Sequence, residues 1–221
     1  MEYMMKLTNE TLNILKNFSS INPSIVINEG DTLKTISTVK SIFAKAKTNQ
    51  TFEKRMAIYD LSRFLSTLSL FEDPDLEISN NSVTISSGNR RVDYRFTDPA
   101  NIVVPPEKEL KLPSSDVSFK LTNSDLSNVM KGLGVLRLPE LAVVGNGTAI
   151  SLQAIDSKNV SGDTYSVDVG QTDKTFKMIF KAENIKVISG DYDVEITKGI
   201  SNFKGVDIEY FIAVEANSTF N

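Results

Sequence analysis

Two sets of side chains in this 221-residue sequence have the types and spacing to do chemistry. The first is a run of carboxylates, Glu72, Asp73, Asp75 and Glu77, hard oxygen donors of the kind that hold divalent cations. They lack the ligand spacing and the turn glycine of a calcium loop, so no metal is expected there. The second is a set of separated cations, Lys16, Arg63, Lys131 and Lys186, each in a stretch that carries an acid only at its start. Asp and Glu outnumber Lys and Arg by 28 to 24, so an acid-free surface is unusual in this chain. Such a surface suits a weak approach to phosphates, neutralising few charges and reading no base edge.

Missing residue types remove most catalytic alternatives. The chain has no cysteine, histidine or tryptophan, which excludes thiolate nucleophiles, Cys/His zinc sites and imidazole acid-base chemistry. There is no glycine-rich phosphate loop, and the serines lack an activating neighbour. A carboxylate pair of glycosidase type needs only two acids that meet in the fold, yet no aromatic-rich cleft accompanies any pair. The expectation is a protein that is no enzyme and needs no cofactor. Hydrophobic residues at 40% and charged residues at 24% fit a globular chain. Its apolar runs fall short of the roughly 18 residues that a membrane span requires, and residues 1–6 lack a signal-peptide core. A net charge of -4 argues against a wholly basic nucleic-acid binder while permitting a basic face.

The elements that position these cations begin with residues 56–71. Leu61, Phe64, Leu65 and Leu68 recur at helical spacing, Asp60 stands at the N-cap, and Ser62, Arg63, Ser66 and Thr67 face outward. A second helix runs from the Thr8 cap to about Ser19, with Leu12, Leu15 and Phe18 inward and Asn13, Lys16 and Asn17 outward. Short alternating runs at 24–27 and 35–39, and again at 76–78, 82–85 and 91–96, read as antiparallel strands and a meander. The basic stretch of Lys40, Lys45, Lys47, Lys54 and Arg55 reads as solvated loop or strand edge. Residues 104–113 are proline-bounded and charged, as an extended linker would be, which places domains at 1–107 and 108–221.

Beyond the linker the pattern restarts. Lys120-Leu121-Thr122-Asn123-Ser124-Asp125-Leu126 repeats Lys6-Leu7-Thr8-Asn9-Glu10-Thr11-Leu12 and opens a third helix, with Leu126, Val129, Met130 and Leu133 inward. Strands follow at 141–144, 148–155, 164–169 and 175–180, with a hairpin turn at Gly145-Asn146-Gly147. Met178 to Ile188 echoes the central stretch as strand, cap region and short fourth helix; 191–196 answers 73–78, and 207–211 answers 92–96. Matched segments in the same order, about 114 to 121 residues apart, imply a duplicated α+β unit with two helices packed on antiparallel sheets. The helix dipole alone explains acids at helix starts and bases later. It leaves unexplained the Asn, Ser and Thr that fill the exposed mid-helix positions.

Three blocks carry a resemblance: Ile58-Tyr59-Asp60-Leu61-x-x-Phe64-Leu65-x-x-Leu68-Ser69-Leu70, Leu15-Lys16-Asn17-Phe18, and Ala213-Val214-Glu215-Ala216-Asn217-Ser218-Thr219. In their order, from about Met5 to Phe220, the chain resembles the sliding clamps of T-even-type tailed bacteriophages; residues 1–5 and 31–54 depart from the family pattern. The resemblance implies a DNA polymerase processivity factor. It would be a homotrimeric ring of DNA-clamp-type domains whose helices line a hole around duplex DNA, bound without sequence preference. Lys16, Arg63, Lys131 and Lys186 would then face DNA. Further implied are an ATP-dependent clamp loader, docking of the polymerase through a short C-terminal peptide, a role in late transcription, and the cytoplasm of the infected bacterial host. The implied peptide pocket comprises Val103, Val104, Pro105, Leu110, Leu112, Val214 and Ala216. A rival reading is a phage structural or adhesion protein, because Asn/Ser/Thr-rich duplicated β domains also suit tail and capsid parts.

Overall fold

The computed structural model describes residues 3–112, 114–159 and 161–220. The chain divides into two compact units, Met1–Lys108 and Glu109–Asn221. Met1, Glu2 and the linker's closing proline, Pro113, lie outside the described residues.

The first unit runs β1 (Tyr3–Met5), α1 (Asn9–Ile21), β2 (Ile25–Ile27), β3 (Gly30–Ile36), β4 (Ile42–Phe52), β5 (Met56–Ile58), α2 (Leu61–Leu68), β6 (Asp75–Ile78), β7 (Ser82–Ser87) and β8 (Arg90–Arg95). Strand β1 pairs with β6, and β6, β7 and β8 form an antiparallel meander. Strand β2 pairs with β5, and β3 with β4. Helix α1 is held by Leu15 and Phe18, both fully buried, with Thr11, Ile14 and Ile21 beside them. Burying each large apolar side chain is worth roughly 1.5 to 3 kcal/mol. The helix stops because Asn22 precedes Pro23 and is driven to extended geometry (φ -138°, ψ 130°). The Asn22 amide then donates to the carbonyls of Ile36 at 2.8 Å and Val103 at 3.2 Å, tying the helix end to the strand and to the start of the linker.

The second unit repeats this order as β9 (Val117–Leu121), α3 (Asn123–Leu136), β10 (Glu140–Asn146), β11 (Ala149–Ile155), β12 (Tyr165–Gln171), β13 (Thr175–Lys181), a single 3-10 turn (Ala182–Asn184), β14 (Tyr192–Ile196), β15 (Ile200–Lys204) and β16 (Ile208–Ala213). A terminal strand, β17 (Thr219–Phe220), adds to the edge of β13. Strand β9 pairs with β14 as β1 does with β6, and β14, β15 and β16 repeat the meander. Strands β12, β11, β10 and β13 form the other sheet, against which α3 packs. The hairpin between β10 and β11 turns where expected: Gly147 has φ +84°, and the Asn146 side-chain oxygen accepts the amides of Thr148 and Ala149 at 3.0 and 2.8 Å.

The duplicated α+β architecture therefore holds, with one correction. The expected fourth helix is a single 3-10 turn, and Lys186 lies beyond it, outside any helix or strand. Lys181 stands where an N-cap acceptor is required and makes no cap hydrogen bond. Ile185, Val187 and Ile188 follow within four positions, and β-branched residues lose side-chain freedom in a helix. Neither condition applies to α2, where Asp60 accepts the Arg63 amide and the apolar stripe is complete.

Candidate nucleic-acid interface

The site is built from helix caps upward. In α1 the Thr8 hydroxyl accepts the Thr11 amide at 3.2 Å, and in α3 the Thr122 hydroxyl accepts the Asp125 amide at 3.1 Å. Each threonine satisfies one orphan donor of its helix start. Two carboxylates add to the second: the Asp125 side chain accepts the Thr122 hydroxyl at 2.6 Å, and Asp191 accepts the Asn123 amide at 2.7 Å. Acid is thus committed to the helix starts, where the dipole favours it.

The exposed faces carry what is left. Asn13 and Lys16 are exposed on α1, Ser62, Arg63 and Ser66 on α2, and Asn128 and Lys131 on α3. No carboxylate lies on α2, on α1 after Glu10 or on α3 after Asp125. The hydroxyls along two of these faces donate to their own helix: Ser19 to the Lys16 carbonyl at 2.7 Å, Ser20 to Asn17 at 2.6 Å and Thr67 to Arg63 at 2.8 Å. Those donors are already engaged, so the faces offer diffuse positive charge with few directed groups. That is the electrostatics of a surface that attracts phosphate without fixing register.

Lys16, Arg63 and Lys131 are therefore exposed on helices as expected, while Lys186 is half-buried in a segment outside any helix or strand. In the second unit α3 and that segment border a shallow groove lined by Asn123, Leu126, Ser127, Met130 and Lys131 on one side and Ile185, Val187 and Ser189 on the other. Sequence reasoning missed Arg137, which is exposed and ends α3 in the left-handed conformation (φ 53°, ψ 41°). Its signal is the Leu138-Pro139 pair that follows, because proline stops a helix and leaves a cation by its last carbonyls. Tyr94 was missed too. Its phenol donates to the Asp60 carbonyl at 3.0 Å, fixing the start of α2, and burial raises its pKa above the ordinary value of 10.0.

The acidic run is held by a neighbouring cation. The Lys6 ammonium bonds the Asp73 carboxylate and lies 3.9 Å from Asp75, and that bond raises the Lys6 pKa. Among the described residues no three acids converge in a metal-binding group. No helix there is long and apolar enough to cross a membrane. The basic stretch is resolved into structure, with Lys45 and Lys47 on β4 and Lys40 in a left-handed turn (φ 59°). Of the apolar linker residues, Val103 is 41% exposed, Val104 50% and Leu110 36%, while Pro105 and Leu112 are half-buried. Val214 is buried within the second unit and Ala216 is exposed.

Two repeats of strand, helix, four strands, second helical segment and three-stranded meander define the DNA-clamp fold. Among solved structures, that of A. fulgidus PCNA bound to the C-terminal region of FEN-1 matches with a TM-score of 0.70 at 12% identity, covering 99% of this chain and 99% of that one. Residues 8–104 match the family described as DNA polymerase processivity factor, and residues 118–216 the family described as gp45 sliding clamp, C terminal. The sliding clamp of Vibrio phage KVP40 is 34% identical over 96% of this chain and 100% of its own length; that of Escherichia phage RB69 is 30% identical over 97% and 99%. The chain belongs to the sliding clamps, the processivity factors of DNA polymerases. The rival reading as a structural or adhesion protein falls with that membership.

Proposed function

We propose that the chain closes head to tail into a homotrimeric ring around duplex DNA, with each of its two units serving as one clamp domain. The observation that carries this reading is the clearing of acid from the exposed faces of α1, α2 and α3 in an acidic protein. Lys16, Arg63, Lys131 and Lys186 face the phosphates. A ring threaded by duplex is retained by geometry, so its contacts are free to be weak enough to slide. A polymerase docked on it gains a high effective concentration at the primer end.

Strands β8 and β12 are the joining edges. Both are outer strands of their sheets, six and seven residues long. The inward positions of each are incompletely covered, Val92 and Tyr94 on β8 and Tyr165 and Val167 on β12. Their outward positions differ in charge, Arg91 and Arg95 against Asp168. Unpaired edges of this length are aggregation hazards unless a partner strand covers them, and a heterologous contact that closes after three steps makes a ring.

Membership in the family supports the remaining partners of this reading. An ATP-dependent loader opens and places the ring, which itself hydrolyses nothing, and late-transcription factors use the same clamp in the cytoplasm of the infected bacterium. A C-terminal peptide of the polymerase is received by Val103, Val104, Pro105, Leu110 and Leu112 of the linker with Val214 and Ala216. The exposed apolar side chains of Val103, Val104 and Leu110 support this, as does the FEN-1 C-terminal region bound to A. fulgidus PCNA. The test pairs mass with function. Wild type should show a solution mass three times that of the 24.4 kDa chain. Replacing Lys16, Arg63, Lys131 and Lys186 together by Glu should keep that mass and abolish processive synthesis. A monomer at every concentration, or unchanged processivity in the variant, would refute the reading.

A further inference from the structure

We propose that Tyr192 and Tyr210 are positioning residues for DNA contact: their phenols clamp the backbone of Ile188 and so hold the Lys186 segment in place without a helix. The proposal rests on the reading of Lys186 as phosphate-facing. In the second unit the element that should present this lysine has shrunk to one 3-10 turn, and residues 185–190 have neither helix nor strand to stiffen them. Within the segment the Lys186 amide donates two positions back along the turn, to the Asn184 carbonyl at 2.9 Å. Two residues further on, both peptide groups of Ile188 are held by side chains. Its amide donates to the Tyr210 phenol at 3.1 Å, and its carbonyl accepts the Tyr192 phenol at 2.5 Å.

Both rings are anchored. Tyr210 is fully buried and Tyr192 is 3% exposed. They meet edge to face with centroids 6.1 Å apart, and Tyr192 packs in the same way on Phe203 at 6.3 Å, which in turn meets Phe180 at 6.2 Å. The rings sit on β14 and β16, so the pin transmits the rigidity of the meander to the segment above it. Phenylalanine would fill the same volume, so packing alone does not account for two phenols aimed at the backbone of one residue. The first unit uses the same device sparingly. There a single tyrosine, Tyr94, touches the backbone at the Asp60 cap, and α2 supplies its own stiffness beyond that point. Where the helix is absent, two phenols replace one. The pinned segment is also the wall of the groove opposite α3, so the spacing between Lys131 and the Lys186 strand of chain depends on it.

The test uses the full-length protein and a short duplex oligonucleotide, with affinity measured across a salt series. Lys186→Ala should lower the slope of log affinity against log salt by about 0.9 for each protomer whose Lys186 contacts a phosphate. Tyr192→Phe combined with Tyr210→Phe should lower it by the same amount, with no further loss when Lys186→Ala is added. Hydrogen exchange at residues 186–190 should accelerate in the double variant while α3 stays protected; single Phe variants should show intermediate exchange. If Lys186→Ala lowers the slope and the double variant leaves both slope and exchange unchanged, the positioning role is refuted and the phosphate-facing reading survives. If Lys186→Ala leaves the slope unchanged, the phosphate-facing reading of Lys186 fails, and the proposal fails with it.

Discussion

The phenol of Tyr94 donates to the Asp60 carbonyl at 3.0 Å while its ring meets Phe64 edge to face at 5.2 Å, so one residue of β8 fastens both the cap and the buried stripe of α2. The two contacts separate by mutation. Tyr94→Phe keeps the ring contact and loses the hydrogen bond, for an expected cost of about 0.5 to 1.5 kcal/mol. Tyr94→Ala loses both and should cost more. Urea unfolding should show a lowered midpoint with unchanged slope in the Phe variant; an unchanged midpoint would remove the hydrogen bond from the account of α2.

Two glycines of α3 should respond to alanine with opposite sign. At Gly132 an added Cβ would come within 2.6 Å of the Tyr165 ring and 3.1 Å of its Cβ, near the rigid root of that side chain. At Gly134 nothing lies within 4 Å. Both changes gain helix propensity of about 1 kcal/mol. At Gly132 the overlap forces β12 away and outweighs that gain by about 1 to 2 kcal/mol. Gly134→Ala should therefore raise the melting temperature and Gly132→Ala lower it. Equal shifts in one direction would show that Tyr165 yields freely.

The difference between these elements explains what could be read from the sequence. Helices α1, α2 and α3 announce themselves because a cap residue, Thr8, Asp60 or Thr122, stands directly before an apolar stripe at helical spacing. Local chemistry and core demand agree there. The repeat was legible for the same reason, since the Thr8 and Thr122 caps sit in nearly identical heptads. The segment around Lys186 was misread because its resemblance to α2 lies in the strand that precedes it, while its conformation is set by Tyr192 and Tyr210. Tyr210 lies 22 residues beyond Ile188 along the chain. Similarly, β1 and β17 consist of a few residues each and exist only through pairing with β6 and β13, so periodicity had nothing to detect. The cations were visible as types, and Lys16, Arg63 and Lys131 stand on helices as expected; the placement of Lys186 on a helix was the misreading.

Stability should fall at alkaline pH through the buried tyrosine pair. Burial pushes the Tyr192 phenol up from 10.0 to about 12, and burial likewise raises Tyr210. The unfolded chain ionises both phenols near pH 10, while the folded chain keeps them protonated beyond that. The unfolded state therefore binds fewer protons in this window. Stability that is fully present below about pH 10 is lost as the pH climbs towards 12. Replacing both residues by Phe should flatten that decline in urea unfolding experiments. A decline of equal steepness in the variant would assign the alkaline sensitivity to other groups.

The edges assigned to the subunit contact make a charge-reversal prediction. Arg91 and Arg95 occupy outward positions of β8 on the same face as Asp93, whose carboxylate accepts the Thr84 hydroxyl at 2.7 Å. Asp93 is thus engaged within its own sheet, leaving the two arginines to meet the neighbour's β12, where Asp168 faces outward. Arg91→Glu with Arg95→Glu sets like charges across the proposed joint and should weaken trimerisation by about 1.4 to 2.8 kcal/mol, roughly ten- to a hundredfold in dissociation constant. Adding Asp168→Arg should recover most of that loss, because the reversed pair is again complementary. The readout is solution mass against concentration at low salt, with wild type and variants converging as salt rises. Were the double reversal to trimerise as wild type does, β8 and β12 would not be the joined edges.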